Sequence, residues 1–284
     1  MSDSEGYILN AVQTPGPLIP VYQSIDRGNT TKEKIRQDTG IDSNLDATVE
    51  GLRLLRLVGR EDEEYYAEPF HWDVSDTLTG FRLTALHNLA QECVPGDWGK
   101  QAVVLLNYQY LLDENIQYFE NNDEALFNEK YDDSIDSRFE KVGYEPRSQQ
   151  GRITHNEQKF GNWTRLIKYL GLVHKVSGRE HTVYPDSRLV LKSVELAANE
   201  RGEVIDGTPT IEIGVYLRWL RENLLYVNTT SDGDIPAPLA RVLFELMRDG
   251  HIEAREYGDA GSIGFSGVPP HDRIDRNANT LRVH

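Results

Sequence analysis

The stretch 155–184 constrains the fold most, because a helical pattern is followed there by the pattern of a two-stranded ribbon. Its apolar side chains recur at three- and four-residue steps and therefore share one helix face: Phe160, Trp163, Ile167 and Leu170. Gly171 ends this helix, and residues 172–176 and 180–184 read as strands joined by the turn Ser177-Gly178. The sequence predicts a helix followed by a tight hairpin.

The same stretch reverses the sign of the chain's charge. It holds five Lys and Arg against two Glu, whereas the whole chain has 46 acidic and 30 basic residues and a formal net charge of −16. Nucleic acid commonly binds basic clusters on such helix-and-ribbon units. We expect the following side chains, in the stretch and just before it, to contact DNA: Arg147, Arg152, Lys159, Asn162, Arg165, Lys168, Lys175 and Arg179.

This helix, turn and basic hairpin resemble the second half of a winged helix-turn-helix domain. Residues 17–75 resemble a complete one, with three helical patterns and a hairpin whose tip, 61–64, has four consecutive acids. Residues 201–268 read as two helices, the first spanning 211–227, and a hairpin around 258–261. Three units of one kind suggest an internal structural repeat.

The resemblance implies roles for particular residues. Winged-helix families place the third helix in the major groove and the wing over the phosphate backbone. Asn162 and Arg165 would then face bases, and the cationic side chains of Lys168, Lys175 and Arg179 would lie near phosphates. The acids at 61–64 would repel DNA, so the first unit is equally suited to protein contacts.

The expected fold class is mainly α with small β-hairpin wings (α+β), as tandem winged-helix units joined by a helical middle segment. The expected segments are an N-terminal arm (1–16), unit 1 (17–75), a helical acidic middle (76–145), the basic unit 2 (146–200), unit 3 (201–268) and an irregular tail (269–284). The acids between residues 113 and 140 favour a solvated face, with a surface for a basic partner as the alternative.

No catalytic arrangement is visible, so we expect a non-enzyme without metal or cofactor. The single cysteine, Cys93, excludes an intrachain disulfide and reads as a buried small side chain. The chain has no phosphate-loop motif and no paired-histidine metal motif. His174 and His181 could face each other across the hairpin and hold a metal, although a polar wing surface explains them better.

Composition indicates the environment in which the protein works. The chain has nine lysines against 21 arginines, and this low lysine content with strong acidity resembles the proteins of haloarchaea, where net charge reflects solubility. No apolar run reaches the roughly 18 residues of a membrane span, and the first residues lack a signal-peptide pattern. We therefore expect a cytoplasmic protein with no membrane partner.

Two functions follow from these patterns. The first is a non-catalytic protein that binds double-stranded DNA through the helix and wing of 155–184. The alternative is a scaffold or adaptor subunit of a prokaryotic DNA-modification or phage-defence complex, in which winged helices contact a protein partner or a second copy of the chain. A ligand-responsive regulator of transcription is a third possibility, but the aromatic residues mark no pocket.

Overall fold

The computed structural model describes residues 6–148, 150–257, 261–271, 274 and 276–284. In chain order its helices are α1 (Ile8–Ala11), α2 (Leu18–Asp26), α3 (Lys32–Thr39), α4 (Leu45–Leu54), α5 (Thr77–Gln91), α6 (Val103–Asp113), α7 (Glu124–Phe127), α8 (Ile135–Lys141), α9 (Glu157–Tyr169), α10 (Ser187–Arg201), α11 (Ile213–Asn223) and α12 (Ala237–Arg248).

Its strands are β1 (Val58–Glu61), β2 (Glu64–Ala67), β3 (Cys93–Val94), β4 (Asp97–Trp98), β5 (Tyr118–Glu120), β6 (Arg147–Ser148), β7 (Gly151–Arg152), β8 (Val173–Ser177), β9 (Glu180–Val183), β10 (Glu203–Ile205), β11 (Thr208–Glu212), β12 (Ile252–Arg255), β13 (Ile263–Gly264), β14 (Asn277–Ala278) and β15 (Thr280–Val283). The sheets are small and antiparallel, so the α+β class is confirmed.

The chain divides into two compact units. The first contains Met1–Val104 and Asn121–Leu170, and the second contains Leu105–Glu120 and Gly171–His284. No helix in the described part of the chain is long and apolar enough to span a membrane.

Segment 17–75 has the three helices and the hairpin that its sequence predicts. The hydroxyl of Thr31 caps α3 by accepting a hydrogen bond from Lys34 N at 3.4 Å, and Gly40 ends the helix in the left-handed conformation. In the hairpin, β1 pairs with β2. Tyr65 N also donates to Thr30 O at 2.7 Å, so the residue just before the α3 cap pairs with the second strand of the hairpin.

The expected N-terminal arm is, from Gly6 onward, part of the core of the first unit. The side chains of Ile8 and Leu9 are fully buried, and α1 packs against both α4 and α9. Gln101 clamps the segment, because its side-chain amide accepts from Ile8 N at 2.9 Å and donates to Gly6 O at 2.9 Å. A single helical turn is too short to give a periodic pattern, which explains why the sequence does not reveal it.

The middle segment is only partly helical. The carboxylate of Asp76 caps α5 by accepting from Thr79 N at 2.9 Å, and α5 is followed by the short hairpin β3–β4. After α6, β5 pairs with β9 and completes a three-stranded sheet of order β5-β9-β8. The predicted hairpin of 172–184 thus gains a third strand, which has three residues and lies in an acidic stretch without clear alternation.

The last 98 residues form a different sheet from the expected one. β12 pairs with β15 and not with residues 262–266, and β15 is an inner strand of the order β10-β11-β15-β12. The expected irregular tail therefore supplies the strand Thr280–Val283. The helix expected from Ile211 begins at Ile213, after β11. Residues 258–260 of the expected turn lie outside the described residues.

Candidate nucleic-acid interface

Helix α9 carries four of the eight expected DNA contacts. Asn156 caps it, with its side-chain oxygen accepting from Lys159 N at 2.9 Å. Apolar packing buries more of α9 than the sequence predicts, because Gly161, Asn162 and Thr164 are buried together with the apolar face. The exposed side chains of its middle and last turns are Arg165 and Lys168.

Asn162 points into the protein. Its side chain is 1% exposed and donates from Nδ2 to Leu9 O at 2.7 Å, while its Oδ1 accepts a hydrogen bond from Arg165. The expectation that Asn162 faces a base therefore does not fit this conformation, since both ends of its amide are used. The partner is the backbone of α1, which the sequence gives no reason to place there.

Arg165 and Lys168 differ in how free their charges are. The guanidinium of Arg165 is exposed, but its Nε donates to Gln13 O at 2.8 Å. Lys168 is exposed and makes no ion pair with any described residue. Of the cationic α9 side chains expected at DNA, only that of Lys168 has no hydrogen-bond or ion-pair partner among the described residues.

The arginines before α9 are paired with acids. Arg147 and Arg152 are directly opposite each other in the hairpin β6–β7, and Gln149 lies outside the described residues. Arg147 forms an exposed ion pair with Glu145 at 2.5 Å and holds the pKa of that carboxyl below its usual value. Arg152 pairs with Glu140 and donates to the backbone oxygen of Asp136 at 3.1 Å.

A buried His–Asp pair fixes the chain just before α9. His155 and Asp136 have side chains 1% exposed, and His155 Nδ1 lies 2.9 Å from Asp136 Oδ1. The Asp136 carboxylate also accepts from His155 N at 3.0 Å. Lys159 is half-buried beside them and donates from Nζ to Thr154 O at 2.7 Å, and burial lowers its pKa. Lys159 and Arg152 therefore hold this loop in place.

The hairpin β8–β9 presents its tip to solvent, and we call this hairpin the basic wing. Residues 174–179 are all exposed, including Lys175 and Arg179. Neither of these two side chains forms an ion pair within the described part of the chain. The basic wing belongs to the second compact unit, whereas the other six expected contacts belong to the first.

The two histidines of the basic wing do not form a metal site. In register His174 is opposite Thr182, and His181 is opposite Lys175, so the two imidazoles lie on opposite faces of the hairpin. His181 is buried and stacks on Phe119 with ring centroids 5.6 Å apart. His174 is exposed on the outer face, near Tyr184. Among the described residues, no cluster of three metal-binding side chains occurs.

Cys93 is buried, as the sequence predicts. Its side chain is 4% exposed, and its Sγ lies 3.5 Å from Leu89 O. Burial, together with the nearby Glu92 carboxylate, raises the pKa of the thiol to about 12. A thiol of this kind remains protonated at neutral pH and is a poor nucleophile.

Comparison with known proteins adds no relative: no protein-family model, curated protein or solved structure matches the chain. The function of the chain must therefore be inferred from its fold and from the side chains described above.

Proposed function

We propose that this chain is a non-catalytic DNA-binding protein built from winged-helix units, which contacts the phosphate backbone of duplex DNA through the basic wing. One observation carries the proposal: Lys175 and Arg179 are exposed at the tip of a hairpin and have no acidic partner among the described residues. Unpaired cations on a projecting hairpin suit a polyanion, because each neutralised phosphate releases counterions.

The order of elements supports the winged-helix assignment. Apart from the additional strands β10, β13 and β14, the chain from residue 187 runs helix α10, strand β11, helices α11 and α12, and strands β12 and β15, and β11, β15 and β12 are neighbours in the sheet order β10-β11-β15-β12. A winged helix has this chain order, and in it the strand before the second helix pairs with the last strand. The units of the proposal therefore begin and end at different residues from those that the sequence suggests.

Two earlier segments follow the same plan. Between residues 103 and 183 the order is α6, β5, α7, α8, β6–β7, α9, β8 and β9, with sheet order β5-β9-β8, so this segment has one helix and one hairpin more than the plan. In segment 17–75 the first strand is reduced to Thr30, which accepts from Tyr65 on the last strand. Three occurrences of one plan support an internal structural repeat, which the sequence suggests without matching residues.

The proposed contact is largely independent of DNA sequence. In a sequence reader, the third helix contacts base edges in the major groove. Here the equivalent helix α9 has Asn162 buried and Arg165 bonded to Gln13 O, so the side chains that would read bases are engaged. The basic wing contacts phosphates, which position a protein without specifying sequence.

The test is the salt dependence of duplex binding. We expect Lys175→Ala with Arg179→Ala to weaken binding to a 20-base-pair duplex and to reduce the slope of log K against log salt by roughly two units, about 0.9 per lost phosphate contact. The measurement is fluorescence anisotropy of a labelled duplex at four or more salt concentrations. Two duplexes of unrelated sequence should give similar affinities.

The matched control removes one lysine and one arginine elsewhere. Lys130 and Arg218 are exposed and make no ion pair with described residues. Lys130→Ala with Arg218→Ala changes the net charge equally, so an equal loss of slope in both double variants would contradict a contact at the basic wing. Wild-type affinity and slope in the Lys175/Arg179 variant would contradict the proposal outright.

A scaffold or adaptor role is the second candidate. It is favoured by the burial of α4 and α9, the helices that would enter the major groove in a winged helix. Both α4 and α9 pack against α1, so their faces serve contacts within the protein. The distinguishing experiment is purification from the native host with nuclease treatment. A stoichiometric protein partner, together with no measurable duplex affinity of the purified chain, would favour this role over the first.

A further inference from the structure

An aromatic row crosses the outer face of the sheet β5-β9-β8. In register Thr182 is opposite Tyr118 on one side and His174 on the other, so these three side chains share one face. The opposite face contains Phe119, His181 and Val183, which are buried. Tyr118 is 56% exposed and His174 is also exposed, whereas large aromatic side chains in sheets are usually covered.

Tyr184 extends the row. It lies two residues beyond Thr182, and its ring centroid is 6.3 Å from that of His174. Its hydroxyl is near the outward side chains of α12, and burial together with the Glu245 carboxylate raises its pKa. Arg241 and Arg248 belong to the same outward face of α12, so positive charge is present at this end of the row, although Arg248 also forms an exposed ion pair with Asp249 at 3.0 Å.

The other end of the row meets the basic wing. Lys175 follows His174 on the edge strand β8; because it is opposite His181 in register, its exposed side chain leaves this edge toward the other face, and Arg179 follows at the turn. Acids are present too, because Glu120 and Glu180 are opposite each other in register on the same face as Tyr118. A phosphate chain would thus be repelled from the centre of the sheet near the tip and attracted to its β8 edge.

Exposed rings bordered by cations favour single-stranded nucleic acid over other ligands. Unpaired bases stack on aromatic side chains irrespective of sequence, while Lys and Arg beside the rings hold the backbone. The bases of a duplex are stacked on one another and could not cover the row. A protein partner would cover the rings but would not require four cations at the two ends of the row.

We propose that this aromatic row binds the unpaired bases of a single-stranded nucleic acid, with its phosphates along the side chains of Lys175, Arg179 and Arg248. The inference rests on the proposed function only in sharing the basic wing. It adds Tyr118 and His174, which backbone contact with a duplex does not use. The single-strand inference and the duplex proposal can therefore be refuted independently.

The experiment compares Tyr118→Ala with an exposed tyrosine elsewhere. Fluorescence anisotropy measures the affinity of the full chain for a labelled 20-nucleotide oligo-dT and for a duplex of the same length. We expect Tyr118→Ala to weaken oligo-dT binding about tenfold, the effect of losing one stacked base, and to leave duplex affinity within about twofold of wild type. Tyr118→Phe should retain binding, because a phenyl ring stacks as well as a phenol.

Tyr131→Ala is the matched control, because Tyr131 is 47% exposed and belongs to the other compact unit. Thermal melting checks that each variant is folded. The inference is overturned if wild-type protein does not bind oligo-dT, or if Tyr118→Ala and His174→Ala both bind it as tightly as Tyr131→Ala. A change of oligomeric state in Tyr118→Ala without loss of oligo-dT binding would also overturn it and would identify the row as a protein contact.

Discussion

At the scale of single residues, burial decides which polar side chains can act on a partner. Asn162 and Lys175 are both polar positions in a basic stretch, yet the first is 1% exposed and the second is at a solvent-facing tip. Their sequence neighbourhoods do not separate them, because a helical wheel assigns Asn162 to the polar face of α9. The separation comes from α1, whose backbone oxygen at Leu9 needs a donor.

Asn162→Ala should therefore act on stability and not on DNA. The substitution leaves Leu9 O without its donor and removes an acceptor of Arg165, so we expect a loss of about 1–3 kcal/mol in the free energy of unfolding. Urea unfolding followed by circular dichroism measures it. Gln158→Ala, at an exposed position of the same helix, is the control and should change stability by less than about 0.5 kcal/mol. A selective loss of duplex affinity with unchanged stability would contradict this and would indicate that Asn162 contacts DNA.

At the scale of elements, α1 has a larger structural role than its four residues suggest. Val12, at its C-terminal end, fits against Gly51 on α4, where an added Cβ would come within 2.6 Å of Val12 Cγ2. Glycine is unfavourable inside a helix by about 1 kcal/mol relative to alanine. Its presence in α4 is explained by the close approach of Val12, and we call this contact the seat of α1.

Gly51→Ala tests this seat. Helix propensity alone would stabilise α4, but the clash with Val12 should reverse the sign and lower the midpoint of thermal unfolding. Val12→Ala removes the clashing methyl groups, so the double variant should be more stable than the sum of the two single effects predicts. Additive effects in this double-mutant cycle would mean that α1 does not occupy the seat in solution.

The elements that the sequence predicts well are those with local signals. The cap at Thr31 and the left-handed Gly40 set the ends of α3, and the periodicity of Phe160 to Leu170 sets α9. The hairpin β10–β11 also has a local signal, because Asp206-Gly207 with positive φ at both residues is a common two-residue turn; it could have been found. Strands β5 and β15 could not, since three or four residues with distant partners leave no pattern in their own sequence.

At the scale of the whole molecule, the candidate site likewise has parts with local sequence signals and parts that depend on long-range pairing. Sequence reasoning finds the charges of the basic wing because they are local, but it misses Tyr118, which joins the basic wing from a strand more than 50 residues earlier. It also misses that six of the eight expected contacts and the basic wing belong to different compact units. Long-range pairing is the information that a single sequence lacks.

The second unit offers a test of this organisation. Leu281 is fully buried on the inner strand β15, so Leu281→Pro removes a ladder hydrogen bond and packing at once. We expect hydrogen exchange to accelerate in β11, β12 and α10, while peptides of 17–75 in the first unit keep their protection. Leu281→Val is the control and should keep protection in both. Equal acceleration in both units of the proline variant would contradict separate compact units.

The position of β15 also bears on how the protein is made. β11 and β12 flank it, yet 67 residues lie between the end of β11 and Thr280 and 24 residues between the end of β12 and Thr280. During synthesis both neighbours are made before β15, which belongs between them in the sheet. Until Thr280–Val283 is added, each presents an open strand edge to other nascent chains, so the chain can mispair during the interval between the synthesis of β12 and that of β15.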